Sequence, residues 1–212
     1  GKSTLVRQIV GVLAPMAGSV RLDGADVAKW PRLSLGRYVG YLPQDIELFS
    51  DTVAANISRF QENADAEVIQ AAKMAGVHEM ILRLPNGYET QVGEGGAVLS
   101  GGYRQRIALA RAVFGRPSIV VLDEPSSNLD GQGDAALVDC VRQLKDLGTT
   151  VVIISHRPAT LSAVDKMLVM RDGSVELFGS RAEVFGKLTQ PVRSVPARSA
   201  EPKAVEAGAA GG

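Results

Sequence analysis

Residues 119–124, with the sequence IVVLDE, decide the fold class of this chain. Four consecutive aliphatic residues are typical of a strand that is buried on both faces of a parallel sheet. A second run of this kind, VVII at 151–154, follows a helical pattern over residues 134–147 that Gly148 closes. The sequence therefore predicts a β-α-β unit with two parallel strands.

Polar residues follow both of these strands. Asp123 and Glu124 end the first strand, and His156 closely follows the second. The carboxyl ends of parallel strands share one sheet edge, where open α/β sheets bind ligands. Phosphoryl transfer needs a carboxylate for the metal and a group that activates water, so we assign Mg²⁺ to Asp123 and the general base to Glu124. The alternative is that two acids merely end a strand.

The first four residues, Gly1, Lys2, Ser3 and Thr4, match the second half of the phosphate-binding pattern G-x-x-x-x-G-K-[ST]. Helical periodicity follows them as far as Leu13, and backbone N–H groups at a helix N-terminus bind phosphates. Lys2 would reach the β- and γ-phosphates, and the Ser3 hydroxyl would ligate Mg²⁺. Four residues also match by chance. Because the chain begins inside the motif, we expect a fragment that binds nucleotide poorly by itself.

A second anion site is predicted at residues 99–106, LSGGYRQR. Ser100, Gly101 and Gly102 open an amphipathic helix there, whose N-terminus offers backbone donors and the positive end of the helix dipole. One domain rarely needs two γ-phosphate sites, so we expect this one to serve a nucleotide that another copy holds. Taken alone, the segment is better explained by a serine N-cap followed by a flexible glycine pair.

Composition excludes several classes of protein. Lys and Arg number 23, as do Asp and Glu, so the chain has no long-range basic field to attract nucleic acid. The single Cys140 rules out an internal disulfide and, with only two histidines, a zinc cluster. Its apolar neighbours recur at helical spacing, which predicts a buried thiol. The longest aliphatic runs are too short to span a bilayer.

The remaining patterns complete the predicted architecture. Residues 18–24 read as a short strand and turn, residues 38–42 as another strand, and residues 52–84 as helices broken at Gly76. We predict an α/β fold: a P-loop NTPase-like parallel sheet flanked by helices, with an antiparallel β region and an inserted α-helical subdomain. We expect an ATPase domain at residues 1–189, which contains the helical subdomain at about 46–116. A disordered tail is expected at residues 190–212.

Together these motifs resemble the nucleotide-binding domain of ATP-binding cassette (ABC) proteins. They occur in family order and cover nearly all of the chain up to about residue 188. The matching segments are the Walker A end (1–4), the Q-loop residue Gln44, the signature (99–103), the Walker B strand with its base (119–124), the D-loop (127–130) and the switch histidine His156.

The resemblance implies a mechanism with ATP and Mg²⁺ as cofactors. Two such domains close head to tail, and each ATP lies between one Walker A loop and the partner's Ser100, Gly101 and Gly102. Gln44 senses the metal and the attacking water and couples to the transport domain. His156 contacts the γ-phosphate, and Asp130 communicates across the dimer.

Further segments resemble the exporter branch of the family. Residues 48–57 are similar to the region of exporter domains that faces the transmembrane coupling helices, and residues 92–96 to the loop before the signature. Residues 39–45 and 123–130 resemble type I secretion ATPases, which export proteases, lipases and repeat-in-toxin proteins. Most exporters have Ala where Asn128 sits.

This branch implies several partners and a location. We expect an upstream transmembrane domain in the same polypeptide and a second, identical nucleotide-binding domain. A periplasmic adaptor and an outer-membrane channel would complete the assembly. The domain would lie at the cytoplasmic face of the bacterial inner membrane, and we expect no nucleic-acid partner.

Three alternatives remain open. The first is an ABC exporter of peptide, lipid or drug. The second is a soluble ABC ATPase of DNA repair or chromosome maintenance, which would carry a long coiled coil between Gln44 and Ser100, where no sustained heptads occur. The third is a regulatory domain that binds ATP without hydrolysis and would be expected to lack Glu124 or His156, both of which are present.

Overall fold

A three-stranded parallel sheet forms the core of the chain. The computed structural model describes residues 1–189, so the predicted disordered tail at 190–212 lies outside the described residues. The sheet has the order β3-β4-β5, and its strands are β3 (Val39–Leu42), β4 (Ile119–Asp123) and β5 (Thr150–Ile154). Every residue of the central strand β4 is buried. The β-α-β unit and the strand covered on both faces are therefore confirmed.

Helices cover both faces of this sheet. Within residues 1–189 the α-helices are α1 (Lys2–Ile9), α2 (Arg32–Tyr38), α3 (Val53–Ser58), α4 (Asp65–Met74), α5 (His78–Leu82), α6 (Gly101–Val113), α7 (Gly131–Asp146), α8 (Pro158–Ser162) and α9 (Arg181–Leu188). In this part of the chain no helix has the length and apolar character needed to cross a membrane.

Alternate residues of β4 contribute to two separate apolar clusters. Val120 and Leu122 pack with residues of α3, α4, α6 and α7. Ile119 and Val121 pack with residues of α1, including Val6, on the opposite face. This division follows from the two-residue period of a strand, and it places α1 and α6 on opposite faces of the sheet.

Two antiparallel hairpins form the predicted antiparallel β region. β1 (Arg21–Leu22) pairs with β2 (Ala25–Asp26), and β6 (Lys166–Arg171) pairs with β7 (Ser174–Ser180). Each hairpin turns through an Asp-Gly pair in which both residues have positive φ. Asp-Gly favours the tight turns whose twist matches paired strands. The second hairpin was not identified in the sequence, although the Asp-Gly pair was the available signal.

Most helix predictions agree with the structure, but α1 is shorter than expected. It ends at Ile9, although the apolar pattern continues to Leu13. Gly11 adopts a φ of +74°, and the Leu13 N–H donates to the Arg7 carbonyl at 3.0 Å, which closes the helix. The predicted helical stretch at 52–84 contains α3, α4 and α5, and Gly76 breaks it with a φ of +65°.

Candidate active site

Four of the predicted site residues lie at the ends of three adjacent strands. Gln44 follows β3, Asp123 and Glu124 end β4, and His156 follows β5. The register pairs Leu42 with Leu122 and Asp123 with Ile154, so these ends lie level with one another. Gln44 and His156 are exposed, whereas Asp123 is only 1% exposed. The edge therefore combines a buried carboxylate with polar groups that a ligand can reach.

One carboxylate oxygen of Asp123, Oδ1, is buried without a hydrogen-bond partner among the described residues. A buried carboxylate oxygen without a donor is costly unless a ligand completes it. Burial and, next, the charge of Asp123 raise the pKa of Tyr41, whereas Arg7 opposes this shift. Tyr41 pairs with Val121 of β4, and Val6 of α1 lies in the same apolar cluster. Arg7, Tyr41 and Asp123 therefore belong to neighbouring elements.

Ser3 lies on α1, the helix that packs against the strand carrying Asp123. Ser3 precedes Arg7 by four residues on α1, so both side chains lie on one face of the helix. Within residues 1–189 no group of three His, Cys, Asp or Glu side chains could hold a metal by itself. Mg²⁺ commonly takes one or two protein oxygens and completes its shell with phosphates and water. The unpartnered Asp123 oxygen and the Ser3 hydroxyl fit that ion.

The first turn of α1 carries the predicted phosphate-binding residues. Gly1 is the N-cap, and its carbonyl accepts from the Leu5 N–H at 3.0 Å. Lys2 and Thr4 are exposed and Ser3 is half-buried. The first turn contains no acidic side chain, so nothing within it neutralises the positive end of the helix dipole. An anion such as a phosphate is favoured at this position.

Glu124 has an unusual backbone conformation. Its φ is +50°, which is uncommon for any residue other than glycine and costs free energy unless the surroundings enforce it. The Glu124 N–H donates to the Ile154 carbonyl at 3.0 Å, and the carbonyl of Pro125 accepts from Gln105 Nε2 at 2.7 Å. The chain is thus held on both sides of Glu124. Sequence reasoning missed Gln105, because this contact joins segments twenty residues apart.

Ser100, Gly101 and Gly102 lie beside the loop that follows Glu124. Ser100 is the N-cap of α6, yet its hydroxyl makes no capping hydrogen bond and the residue is exposed. A Cβ atom added to Gly101 would lie 3.7 Å from the Asn128 side chain. The start of α6 therefore presents a serine hydroxyl and two glycines next to the predicted D-loop.

Helix α7 connects this loop to the segment that carries His156. Asp130 caps α7 by accepting from the Gly133 N–H at 2.7 Å, and it pairs with Arg106 of α6 at 3.0 Å. The pKa of Asp130 is held below its ordinary value, mainly by the hydrogen bond from the Gly133 N–H and to a smaller extent by the charge and hydrogen bond of Arg106. One turn later, Asp134 pairs with Arg157, the residue after His156. Two ion pairs thus join α6, α7 and the end of β5.

Comparison with known proteins identifies this arrangement. The family model described as ABC transporter matches residues 1–127. The chain belongs to the ABC transporter family. The chain is 50% identical over 192 residues to the type I secretion system ATP-binding protein PrsD of Rhizobium meliloti (strain 1021). That alignment covers 90% of the chain and 33% of the relative.

Other relatives agree with this assignment. The chain is 40% identical over 197 residues to the ATP-binding cassette sub-family B member 6 of Mus musculus, and the alignment covers 90% of this chain and 23% of that protein. Its structure matches that of a bacterial Atm1-family ABC exporter with ATP bound, with a TM-score of 0.81 and 36% sequence identity. The match covers 88% of this chain and 33% of the exporter chain. The chain therefore spans about a third or less of these relatives. It is an ATP-binding domain of the exporter type.

Proposed function

We propose that this ABC domain binds and hydrolyses Mg²⁺-ATP to power protein export through a type I secretion system. The observation that carries the proposal is the convergence of Gln44, Asp123, Glu124 and His156 at three adjacent strand ends. The similarity to PrsD, named as a type I secretion ATP-binding protein, supports the choice of branch. A second candidate, an exporter of peptide, lipid or drug, is favoured by the similarity to the sub-family B and Atm1-family proteins.

In the proposed site, the start of α1 binds the phosphates. Lys2 and the N–H groups of the first turn would hold the β- and γ-phosphates, since this helix end is positive and free of acidic side chains. The Ser3 hydroxyl, Asp123 and Gln44 would hold Mg²⁺. When bound, the ion would neutralise charge on the β- and γ-phosphate oxygens.

Glu124 would act as the general base toward the attacking water. Its backbone is fixed by the Ile154 carbonyl, so the side chain projects from a defined position at the strand end. His156 follows the neighbouring strand and would contact the γ-phosphate, and Gln44 would orient the water. The positions of these residues fit this division of roles, because hydrolysis of a phosphoanhydride depends mainly on positioning and charge stabilisation.

A second copy of the domain would complete each site. Ser100, Gly101 and Gly102 would bind the nucleotide of the partner, and Asp130 would communicate between the two sites. We further propose that the domain follows a transmembrane domain in one polypeptide that works as a homodimer at the cytoplasmic face of the inner membrane. A periplasmic adaptor and an outer-membrane channel would complete the export pathway.

The decisive experiment replaces Glu124 by Gln in the full-length polypeptide. Gln keeps the size of the side chain but cannot accept the proton of water. We expect kcat to fall about 100-fold or more, because general-base catalysis contributes on that scale. ATP binding should persist, so the variant should accumulate as an ATP-bound dimer in size-exclusion chromatography.

Glu62→Gln provides the matched control, because Glu62 is exposed in the loop before α4. This variant should hydrolyse ATP at the wild-type rate. Unchanged turnover in Glu124→Gln would refute the role assigned to Glu124. Cargo specificity is tested separately, by asking whether a type I secretion substrate, rather than a lipid or drug, stimulates the wild-type ATPase.

A further inference from the structure

Gln105 is a buried polar residue of α6. It is 1% exposed, and Ile107, Ala108 and Leu109, which follow it on the helix, are also buried. Both ends of its amide have hydrogen-bond partners. Nε2 donates to the Pro125 carbonyl at 2.7 Å, and Oε1 accepts from Asn128 Nδ2 at 3.3 Å. A buried amide with both ends satisfied is fixed in orientation, since losing either partner would leave a buried polar group unpaired.

The chemistry of the two partners determines which way this amide faces. A backbone carbonyl only accepts hydrogen bonds, so the NH₂ group of Gln105 must point to Pro125. The oxygen then faces Asn128, where only a donor is favourable. Asn128 supplies that donor, whereas an alanine at this position would not. The residue at position 128 therefore helps to select the orientation of Gln105.

The Pro125 carbonyl belongs to the segment that sets the position of Glu124. The Glu124 N–H is held by Ile154 at 3.0 Å, and the Pro125 carbonyl is held by Gln105. Between these two anchors Glu124 has a φ of +50°. A strained conformation of this kind persists only where the surroundings enforce it. The Gln105 hydrogen bond acts there together with that of Ile154 and with the Ser127 N–H, which donates to the Glu124 carbonyl at 3.2 Å.

We propose that Gln105 is a positioning residue for Glu124, with Asn128 fixing the Gln105 amide. This inference rests on the proposed function, in which Glu124 activates the attacking water. Gln105 lies four residues after Gly101 and so on the same face of α6, and Asn128 contacts both positions. The start of α6 is thereby connected to the base of the same chain. A small displacement of a catalytic group is enough to lower the rate.

The test compares Gln105→Leu and Asn128→Ala in two backgrounds of the full-length polypeptide, wild type and Glu124→Gln. In the wild-type background we expect Gln105→Leu to lower kcat about tenfold and Asn128→Ala about threefold, with KM for ATP changed less than about twofold. In the Glu124→Gln background neither substitution should lower the single-turnover rate further, because the group they position is already inactive.

Two comparisons make each outcome decisive. Gln143→Leu makes the same chemical change at an exposed position of α7 and should leave the rate unchanged in both backgrounds. Asn128 is exposed, so Asn128→Ala decides the question if Gln105→Leu does not fold. An equal loss of rate in both backgrounds, or a rise in KM without a fall in kcat, would overturn the positioning role. Absence of hydrolysis by the wild-type protein would instead overturn the proposed function.

Discussion

Asp123 combines burial with an oxygen that has no hydrogen-bond partner among the described residues. This arrangement is unfavourable by itself, because a buried carboxylate needs donors or a cation. In the proposed function, Mg²⁺ would supply that cation. Binding sites of this kind lower the free energy of unfolding of the protein but are needed for its function.

We therefore predict that Asp123→Asn weakens the binding of Mg²⁺-ATP without lowering the thermal stability of the domain measured in the absence of nucleotide. Without nucleotide the variant should melt at the wild-type temperature or about 2–4 °C higher, which corresponds to on the order of 1 kcal/mol for a domain of this size. Mg²⁺-ATP should raise its Tm much less than that of the wild type, since the metal ligand is lost. Differential scanning fluorimetry with and without Mg²⁺-ATP measures both effects.

Asp139→Asn is the control for this experiment. Asp139 forms an exposed pair with Arg142 at 3.2 Å, and exposed pairs contribute little to stability. That variant should keep both the Tm and the nucleotide response. An Asp123→Asn protein that loses stability without nucleotide but keeps its response to Mg²⁺-ATP would contradict the metal role.

Cys140 gives a pH-dependent prediction. Burial raises the pKa of its thiol from 9.0 to about 12. Above pH 9 the unfolded chain releases the thiol proton while the folded chain retains it. Stability should therefore fall as pH rises from about 9 toward 12, by up to about 1.4 kcal/mol per pH unit. Denaturant unfolding of wild type and Cys140→Ala at pH 8 and pH 10 measures this.

Cys140→Ala removes this titration and isolates its contribution from that of other groups. The variant should be less stable at both pH values, because it leaves a small cavity in the core. Its loss of stability between pH 8 and pH 10 should nevertheless be smaller than that of the wild type. Identical pH dependence in the two proteins would show that the thiol ionises normally in the folded state.

The sequence predicts the positions of the site residues better than their surroundings. Asp123 and His156 could be placed at strand ends because the aliphatic runs before them have only one favourable environment. The φ of Glu124 and the contact between Gln105 and Pro125 could not be predicted. Both depend on how α6 packs against the loop after β4, and that packing brings together segments without any local pattern.

At the scale of elements, β3 lies very close to the end of α6. A Cβ atom added to Gly40 would lie 1.9 Å from the Ala112 carbonyl oxygen. Only glycine allows the strand and the helix to approach this closely. The same helix end is held by Arg59, which donates to the carbonyls of Arg111 and Ala112. The end of α6 is therefore fixed against both β3 and α3.

Two glycine substitutions test this packing. Gly40→Ala should destabilise the domain by about 3 kcal/mol or more, because strand or helix must move to admit the methyl group. Gly36→Ala makes the same change in α2, where the added carbon meets no atom within 4 Å. It should be neutral or stabilising by about 0.5–1 kcal/mol, since alanine favours a helix. Chemical denaturation of both variants gives the comparison, and equal midpoints would exclude the close approach.

The ends of the helices show that apolar periodicity alone does not predict where an element stops. The apolar periodicity of α1 continues to Leu13, but the helix ends at Ile9. Gly11 packs so closely on Val27 and Leu35 that an added Cβ would lie 2.9 Å from Val27. Gly11 also has a φ of +74°, so the glycine itself ends the helix within an apolar pattern that continues past it. The Gly76 break was predictable because a glycine with positive φ is a common helix end.

At the scale of the whole molecule, the two predicted anion sites belong to different parts of the fold. The start of α1 and the start of α6 are each free of acidic side chains in the first turn. Their helices pack on opposite faces of the sheet, in separate apolar clusters. This separation suits the proposal that each nucleotide lies between two copies of the domain.

A mixed dimer tests that proposal directly. Lys2→Ala removes the phosphate contact of one anion site, and Ser100→Arg blocks the other. If each nucleotide lies between two copies, a homodimer of either variant has a lesion in both sites. A heterodimer of the two variants instead concentrates both lesions in one site and leaves the other intact. It should therefore bind about one ATP per dimer. The homodimers should bind ATP about 100-fold more weakly, as expected when a charge-assisted contact to phosphate is lost from each site or each site is blocked.

The heterodimer is isolated with two different affinity tags on the full-length polypeptides, and binding is followed by photolabelling with an azido-ATP analogue. Ser34→Ala, at an exposed position of α2, paired with wild type provides a dimer with two intact sites. If each site were built within one chain, the heterodimer would contain one lesion in each site and bind no better than the homodimers. Recovery of half the labelling of the control dimer would therefore assign Lys2 and Ser100 to a single site made from two chains.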